Sequence, residues 1–293
     1  MDESQRRSAL EAGRRAGSAY VLNRPRQTPA GRLGEQLGGG VGNSLEFMDY
    51  REYAPGDDLR RIDWSAYARS DRLVVKLFRE EVTPHLDLIV DVSGSMALAG
   101  SAKGRATLGL ASALATAADN ARVSRRVFAA GQSLRAIEIG HGGFEGWETL
   151  RFDDEASLGR ALLDTAAPLR RRGVRILVSD LLCEDDPWPV IGRLAEGASA
   201  VWVLQLLGRQ DVDPGWVGDM RLIDSESRRR RELRLNGQAV QRYRQQLDRL
   251  RDQWRGACRR SGVNLIELIA EDVVDRWDLE TLVREGVLSL GTG

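Results

Sequence analysis

Two cysteines and two histidines are all that this 293-residue chain holds of those residue types. Cys183 and Cys258 lie in separate segments and make no C-x-x-C pair, which excludes a disulfide-dense scaffold and leaves reduced thiols as the simplest expectation. Neither His85 nor His141 has a second His or a Cys at zinc spacing. A Ser-His-Asp hydrolase would need one of them as its base, yet Ser93 lies in VSGSM and not in a G-x-S-x-G elbow. The phosphate-loop pattern G-x-x-x-x-G-K-[ST] is missing as well, so any ATP hydrolysis belongs to a partner. Excess charge is also lacking: 43 Lys and Arg stand against 43 Asp and Glu, so no global basic field draws nucleic acid or anionic lipid. No run approaches the roughly 18 to 20 apolar residues of a membrane span, and MDESQRRSALEAGRRAG lacks the apolar core of a secretory leader. The expectation is a cytoplasmic protein with no membrane span.

What is present centres on Leu86 to Met96, LDLIVDVSGSM. Leu86, Leu88, Ile89 and Val90 form a short apolar run suited to a strand buried on both faces of a parallel sheet. Asp91 then falls at the strand's carboxyl end, where open α/β sheets place their ligands. Beyond it Ser93 and Ser95 alternate around a loop that Gly94 allows to bend. One carboxylate and two hydroxyls are hard oxygen donors, which suit Mg²⁺ or Mn²⁺. Such ions want about six oxygens, so this sparse set leaves room for an acidic side chain from another protein. The plain alternative is a turn in which Asp and Ser satisfy backbone N–H groups.

Residues 1–42 read as an N-terminal helix and a Gly-rich flexible segment, and 43–84 as a β-rich segment with a Pro55-Gly56 turn. Residues 85–293 read as one α/β domain. Its expected elements are a helix over Lys103 to Ala121, strands over Arg125–Ala130 and Leu134–Ile139, and a helix from Ser157 to Arg172. Strands follow at Val174–Val178 and Ala200–Leu207 with a helix over Val190–Glu196 between them, an alternation that implies a doubly wound, mostly parallel sheet flanked by helices. Turn signals over 211–238 imply a small antiparallel β ribbon. A long helix from Val240 to Arg260, a strand at Asn264–Ile269 and a last helix over Asp275–Arg284 complete the reading.

Joined to YREYAPGDDLRRIDWSAYARSDRLVVKLFREE (Tyr50 to Glu81), the strand-end Asp-x-Ser-x-Ser resembles the DUF58 family of bacterial von Willebrand factor A-like proteins. The resemblance covers most of the chain. It implies a von Willebrand factor A-like fold with an adhesion-type metal site and no catalytic activity of its own. It also implies work beside a MoxR-type AAA+ ATPase in chaperone-like protein assembly, cofactor insertion or stress response. On the family pattern Asp91, Ser93 and Ser95 form the first metal motif and Asp180, closing RILVSD, is the later acidic position. The fold's third element is a Thr opening T-x-L-x-x-A-L, and here Ala156 stands in its place. Ser157 after a one-residue shift or a water then fills the gap, or the loop is a metal-free docking site.

The expectation is therefore a non-enzymatic adaptor that uses Mg²⁺ or Mn²⁺ to hold a partner, either the ATPase or its client. The alternatives are a metal-dependent hydrolase using the same carboxylates and a metal-free scaffold. Asp57, Asp58, Arg60, Arg61 and Asp63 are candidates for partner binding, with a packed turn carrying surface ion pairs as the plainer reading. Arg228 to Arg231 read as an exposed ribbon or a docking patch. Trp188, Trp202, Trp216, Trp254 and Trp277 read as core or seam aromatics.

Overall fold

The computed structural model describes residues 1–23, 45–80, 85–98, 100–140, 145–155, 157–164, 169–215, 218–223 and 230–291. His141, Ala156, Trp216, Arg228 and Arg229 lie outside these, as does the Gly-rich segment after residue 37. In chain order the elements begin with α1 (Glu3–Gly17), β1 (Tyr20–Leu22), β2 (Leu45–Glu52), α2 (Trp64–Ser70), β3 (Val74–Glu80) and β4 (His85–Asp91). They continue with α3 (Lys103–Asn120), β5 (Ser124–Ala130), β6 (Leu134–Ile137), α4 (Leu158–Leu163), β7 (Val174–Ser179), α5 (Pro187–Ala195) and β8 (Ala200–Leu207). The chain ends with α6 (Arg209–Val212), β9 (Gly218–Ile223), β10 (Arg230–Leu235), α7 (Gly237–Arg260), β11 (Asn264–Ile269), α8 (Ala270–Arg276), α9 (Glu280–Arg284) and β12 (Leu288–Leu290).

Residues 1–27 and 84–293 form one compact unit and 28–83 another. The larger unit is built on a six-stranded sheet of order β11-β8-β7-β4-β5-β6. All neighbours are parallel except the edge strand β6, which a short turn returns antiparallel to β5. Every residue of β4 is buried, as its near-continuous apolar run requires. Leu88 and Val90 pack in a core with α3, whereas Ile89 joins a second core with residues of α4, α5 and α7. Helices therefore cover both faces, and consecutive side chains serve opposite layers.

The N-terminal helix is stitched into this unit. Asp2 and Gln5 form a capping box at its start, and Gly13 and Gly17 allow its backbone to lie against α3. Arg6 donates to the carbonyls of Trp147 and Leu150 at 3.0 and 2.7 Å. β1 pairs antiparallel with β12, bringing the two ends of the unit together.

Several elements match the sequence reading closely, including α3, β7, β8, β11 and the β9–β10 ribbon. Others differ. The helix expected from Ser157 to Arg172 is described only as α4, closed at Asp164, and residues 165–168 lie outside the described set. The single helix expected over Asp275–Arg284 is two, because Trp277 takes a left-handed conformation (φ 50°) and breaks it. α5 starts before Val190, since Asp186 caps it and Pro187 preorganises its first turn. Trp202 and Trp254 are buried, but Trp188 is exposed and carries the Arg260 guanidinium 4.8 Å above its ring.

In the smaller unit β2 and β3 form an antiparallel pair, and α2 follows a turn capped by Asp63. That carboxylate accepts from the Ser65 and Ala66 amides at 2.9 and 3.0 Å and from the Tyr50 hydroxyl at 2.9 Å, and meets Lys76 at 3.2 Å. The amide, hydroxyl and ammonium donors hold its pKa down to about 2.

Candidate metal centre at the strand ends

Asp91 is the last residue of β4 and is 4% exposed. Its Oδ1 accepts from the Ser93 amide at 2.9 Å and its Oδ2 from the Ser179 hydroxyl at 2.5 Å. The Ser93 and Ser95 hydroxyls lie 3.1 Å apart, both buried. The loop that carries them is held on two sides. Val92 donates to the Ala130 carbonyl at 3.1 Å, and Gly94 donates to the Asp154 carbonyl at 3.0 Å. Asp154 in turn reaches the turn after β5, accepting from the Gln132 amide at 2.8 Å. A Cβ on Gly131 would stand 2.2 Å from that carboxylate, so a side chain there would displace Asp154 from this contact.

The neighbouring strand supplies Asp180, 2% exposed. Oδ1 accepts from the Leu182 amide at 3.0 Å and Oδ2 from the Lys103 ammonium at 2.8 Å. Leu181 between them is buried with φ 56°, a left-handed conformation rare for a branched side chain. Burial, and after it the charge of Asp180, push the Asp91 carboxyl up to about 6, against the pull of its Ser179 and Ser93 bonds. The same burial, with Asp185 and Asp91 nearby, pushes the Cys183 thiol up and keeps it protonated at neutral pH.

The sequence reading brought Asp91, Ser93, Ser95 and Asp180 to one place, and the structure gathers them at the ends of β4 and β7. Ser157 caps α4 instead, accepting from the Arg160 amide at 3.3 Å. Asp57 and Asp58 are occupied in their own turn: Asp57 bonds Arg51 at 2.7 Å and Asp58 bonds Arg60 at 3.2 Å. Arg60, Arg61 and Asp63 lie with them in the smaller unit, Asp63 buried as the α2 cap. Three residues went unread. Ser179 orients Asp91; Lys103, 1% exposed, bridges Asp180 and Asp211 at 2.8 and 3.0 Å; and Asp211 arrives from α6, not from the ribbon. A lysine in the first helical turn, where the dipole disfavours a cation, was the available signal.

Among the described residues no three His, Cys, Asp or Glu side chains form a metal-binding group. The donor set that fits a hard divalent cation is one carboxylate and two hydroxyls: Asp91, Ser93 and Ser95. The raised affinity of Asp91 for a proton marks the negative charge that such a cation would relieve. Among the described residues no histidine stands at this cluster. His85 starts β4 at its other end, roughly 20 Å away at 3.3 Å per residue. There it bonds Asp87 at 2.7 Å and Ser124 at 2.9 Å.

Fold and site together define an α/β domain with a buried oxygen cluster at the carboxyl ends of its central strands. The family model for the protein of unknown function DUF58 matches residues 49–253. The chain belongs to that family. Uncharacterized proteins of Mycobacterium tuberculosis and Mycobacterium bovis are 28% identical to it over 206 residues, covering 66% of this chain and 65% of theirs. The match thus spans less than two thirds of those relatives' length. The solved conserved hypothetical protein BatB of Bacteroides thetaiotaomicron is 9% identical, with a TM-score of 0.34 over 68% of this chain and 97% of its own. An aerotolerance-related membrane protein of Bacteroides fragilis is 11% identical, with a TM-score of 0.35 over 68% of this chain and 98% of its own. At those scores the likeness bears on neither fold detail nor role. Among the described residues no helix is long and apolar enough to cross a membrane.

Proposed function

We propose that this chain is a non-enzymatic adaptor of von Willebrand factor A-like fold. In this reading Asp91, Ser93 and Ser95 hold Mg²⁺ or Mn²⁺, with Asp180 beside them, and an acidic side chain of a partner completes the coordination. The carrying observation is the convergence of the Asp91 carboxylate and the Ser93 and Ser95 hydroxyls at the end of β4. Ser179 fixes the carboxylate's orientation and the Asp154 segment fixes the loop, so the donors are preorganised. When bound, the cation supplies a positive centre that attracts a carboxylate from outside. The expected partner is a MoxR-type AAA+ ATPase or its client, in chaperone-like assembly or stress response, in the cytoplasm.

The test is capture of a MoxR-type ATPase from the same organism by the full chain, with Mg²⁺ and with chelator. Capture that needs Mg²⁺ and is lost in Asp91→Ala supports the metal bridge. Equal capture in chelator contradicts it and leaves a metal-free scaffold. Turnover of phosphoester or peptide substrates that Asp91→Ala abolishes would favour the hydrolase.

A further inference from the structure

We infer that Lys103 is a resident cation that occupies Asp180 and thereby keeps the strand-end cluster's affinity for a divalent ion low until a partner contributes its own carboxylate. This rests on the metal reading above and adds what regulates that site.

Lys103 is the first residue of α3 and is 1% exposed. A helix's first turn repels a cation, and burying an ammonium is unfavourable unless close partners offset its desolvation. Neither helix propensity nor packing accounts for a lysine here. Its two carboxylates do. Asp180 accepts at 2.8 Å and Asp211 lies 3.0 Å away, and both are themselves fixed, Asp180 by the Leu182 amide and Asp211 by the Gly208 amide at 2.8 Å. Burial works to strip the lysine's proton, but the charges of Asp180 and Asp211 outweigh it and hold its pKa above the ordinary lysine value. Two carboxylates within 3.0 Å of a buried Nζ are the geometry of an ammonium held in place by its ion pairs.

The consequence concerns the neighbouring cluster. Both Asp180 oxygens are in use before any metal arrives, so Asp180 is a poor ligand while Lys103 stays. A divalent ion on Asp91, Ser93 and Ser95 meets one full negative charge directly and a fixed positive charge behind it. In a low-dielectric site that repulsion is large compared with its value in water. Among the described residues two buried polar atoms find no hydrogen-bond partner here: Thr107 Oγ1, one turn along α3 from Lys103, and Gln205 Oε1, whose amide group donates to the Asp180 carbonyl at 3.1 Å. A partner carboxylate adds the charge that the cation lacks, which couples ion binding to partner binding.

Mn²⁺ binding to the full chain at pH 8, followed by electron paramagnetic resonance, tests this. The charge-matched double variant Lys103→Met with Asp211→Asn leaves Asp91 and Asp180 facing each other without the ammonium. It should bind Mn²⁺ at least tenfold more tightly than the natural chain, while Lys103→Arg, which keeps the charge, should stay within threefold. If the double variant fails to fold, Lys103→Gln, whose amide still donates to Asp180, should also tighten binding. Unchanged or weaker binding in the folded neutral variants overturns the role of Lys103 and leaves the metal site standing. No Mn²⁺ binding by any of these proteins overturns the metal reading, and this inference with it.

Discussion

The Ser179 hydroxyl donates to Asp91 Oδ2 at 2.5 Å across the β4–β7 boundary while accepting from the Leu181 amide at 3.0 Å. One side chain thus orients the candidate ligand and stabilises the left-handed turn at Leu181 that follows Asp180. Ser179→Ala removes both bonds and leaves a buried carboxylate oxygen without its donor. Expected is a loss of about 1–3 kcal/mol in urea unfolding, together with weaker Mn²⁺ binding.

The pH dependence of stability follows from Asp91. Its carboxyl is pushed from the ordinary 3.8 up to about 6 in the folded chain. Between those values the folded state holds more protons than the unfolded one, so stability falls as pH rises. This contribution is fully present below about pH 4 and gone above about pH 6. In chelator, the urea midpoint of the natural chain should drop across that window more than that of Asp91→Asn. Saturating Mg²⁺ at pH 8 should recover stability in the natural chain alone.

Asp63 gives the opposite slope in the smaller unit. Held down to about 2 by its amide, hydroxyl and ammonium donors, it contributes stability above about pH 4 that is lost as pH falls toward 2. Asp63→Asn should flatten the acid limb of the unfolding curve read at Trp64, which is exposed at the start of α2.

The seam between α1 and α3 rests on glycine. A Cβ on Gly13 would lie 2.0 Å from the Gly109 carbonyl oxygen, which is backbone and cannot turn away, whereas a Cβ on Gly192 meets nothing within 4 Å. Gly13→Ala should cost about 1–3 kcal/mol by overpacking. Gly192→Ala, on the exposed side of α5, should be neutral or stabilise by about 0.5–1 kcal/mol. Thermal unfolding of the two variants checks the contrast.

Local pattern made the central features readable. The apolar run before Asp91 and the Asp-x-Ser-x-Ser alternation sit within a few residues of each other, and a strand end fixes where they point. The apolar run RILVS marked a second strand end before Asp180, and the family resemblance made that residue a ligand candidate. Lys103 and Asp211 were not, because their pairing spans more than a hundred residues and turns on α6, a four-residue helix inside a stretch that reads as ribbon. β1 and β12 are three residues each, too short for alternation to register, and their pairing comes from opposite ends of the chain. The break between α8 and α9 escaped because Trp277 keeps helical spacing while leaving helical geometry.

Calorimetric titration of Mg²⁺ into the full chain at pH 8, alongside Asp91→Ala, addresses the strand-end cluster most directly. A metal centre at Asp91, Ser93 and Ser95 predicts one saturable site in the natural chain that disappears in a folded Asp91→Ala protein. Identical isotherms for the two proteins, or no binding to the natural chain, would contradict it.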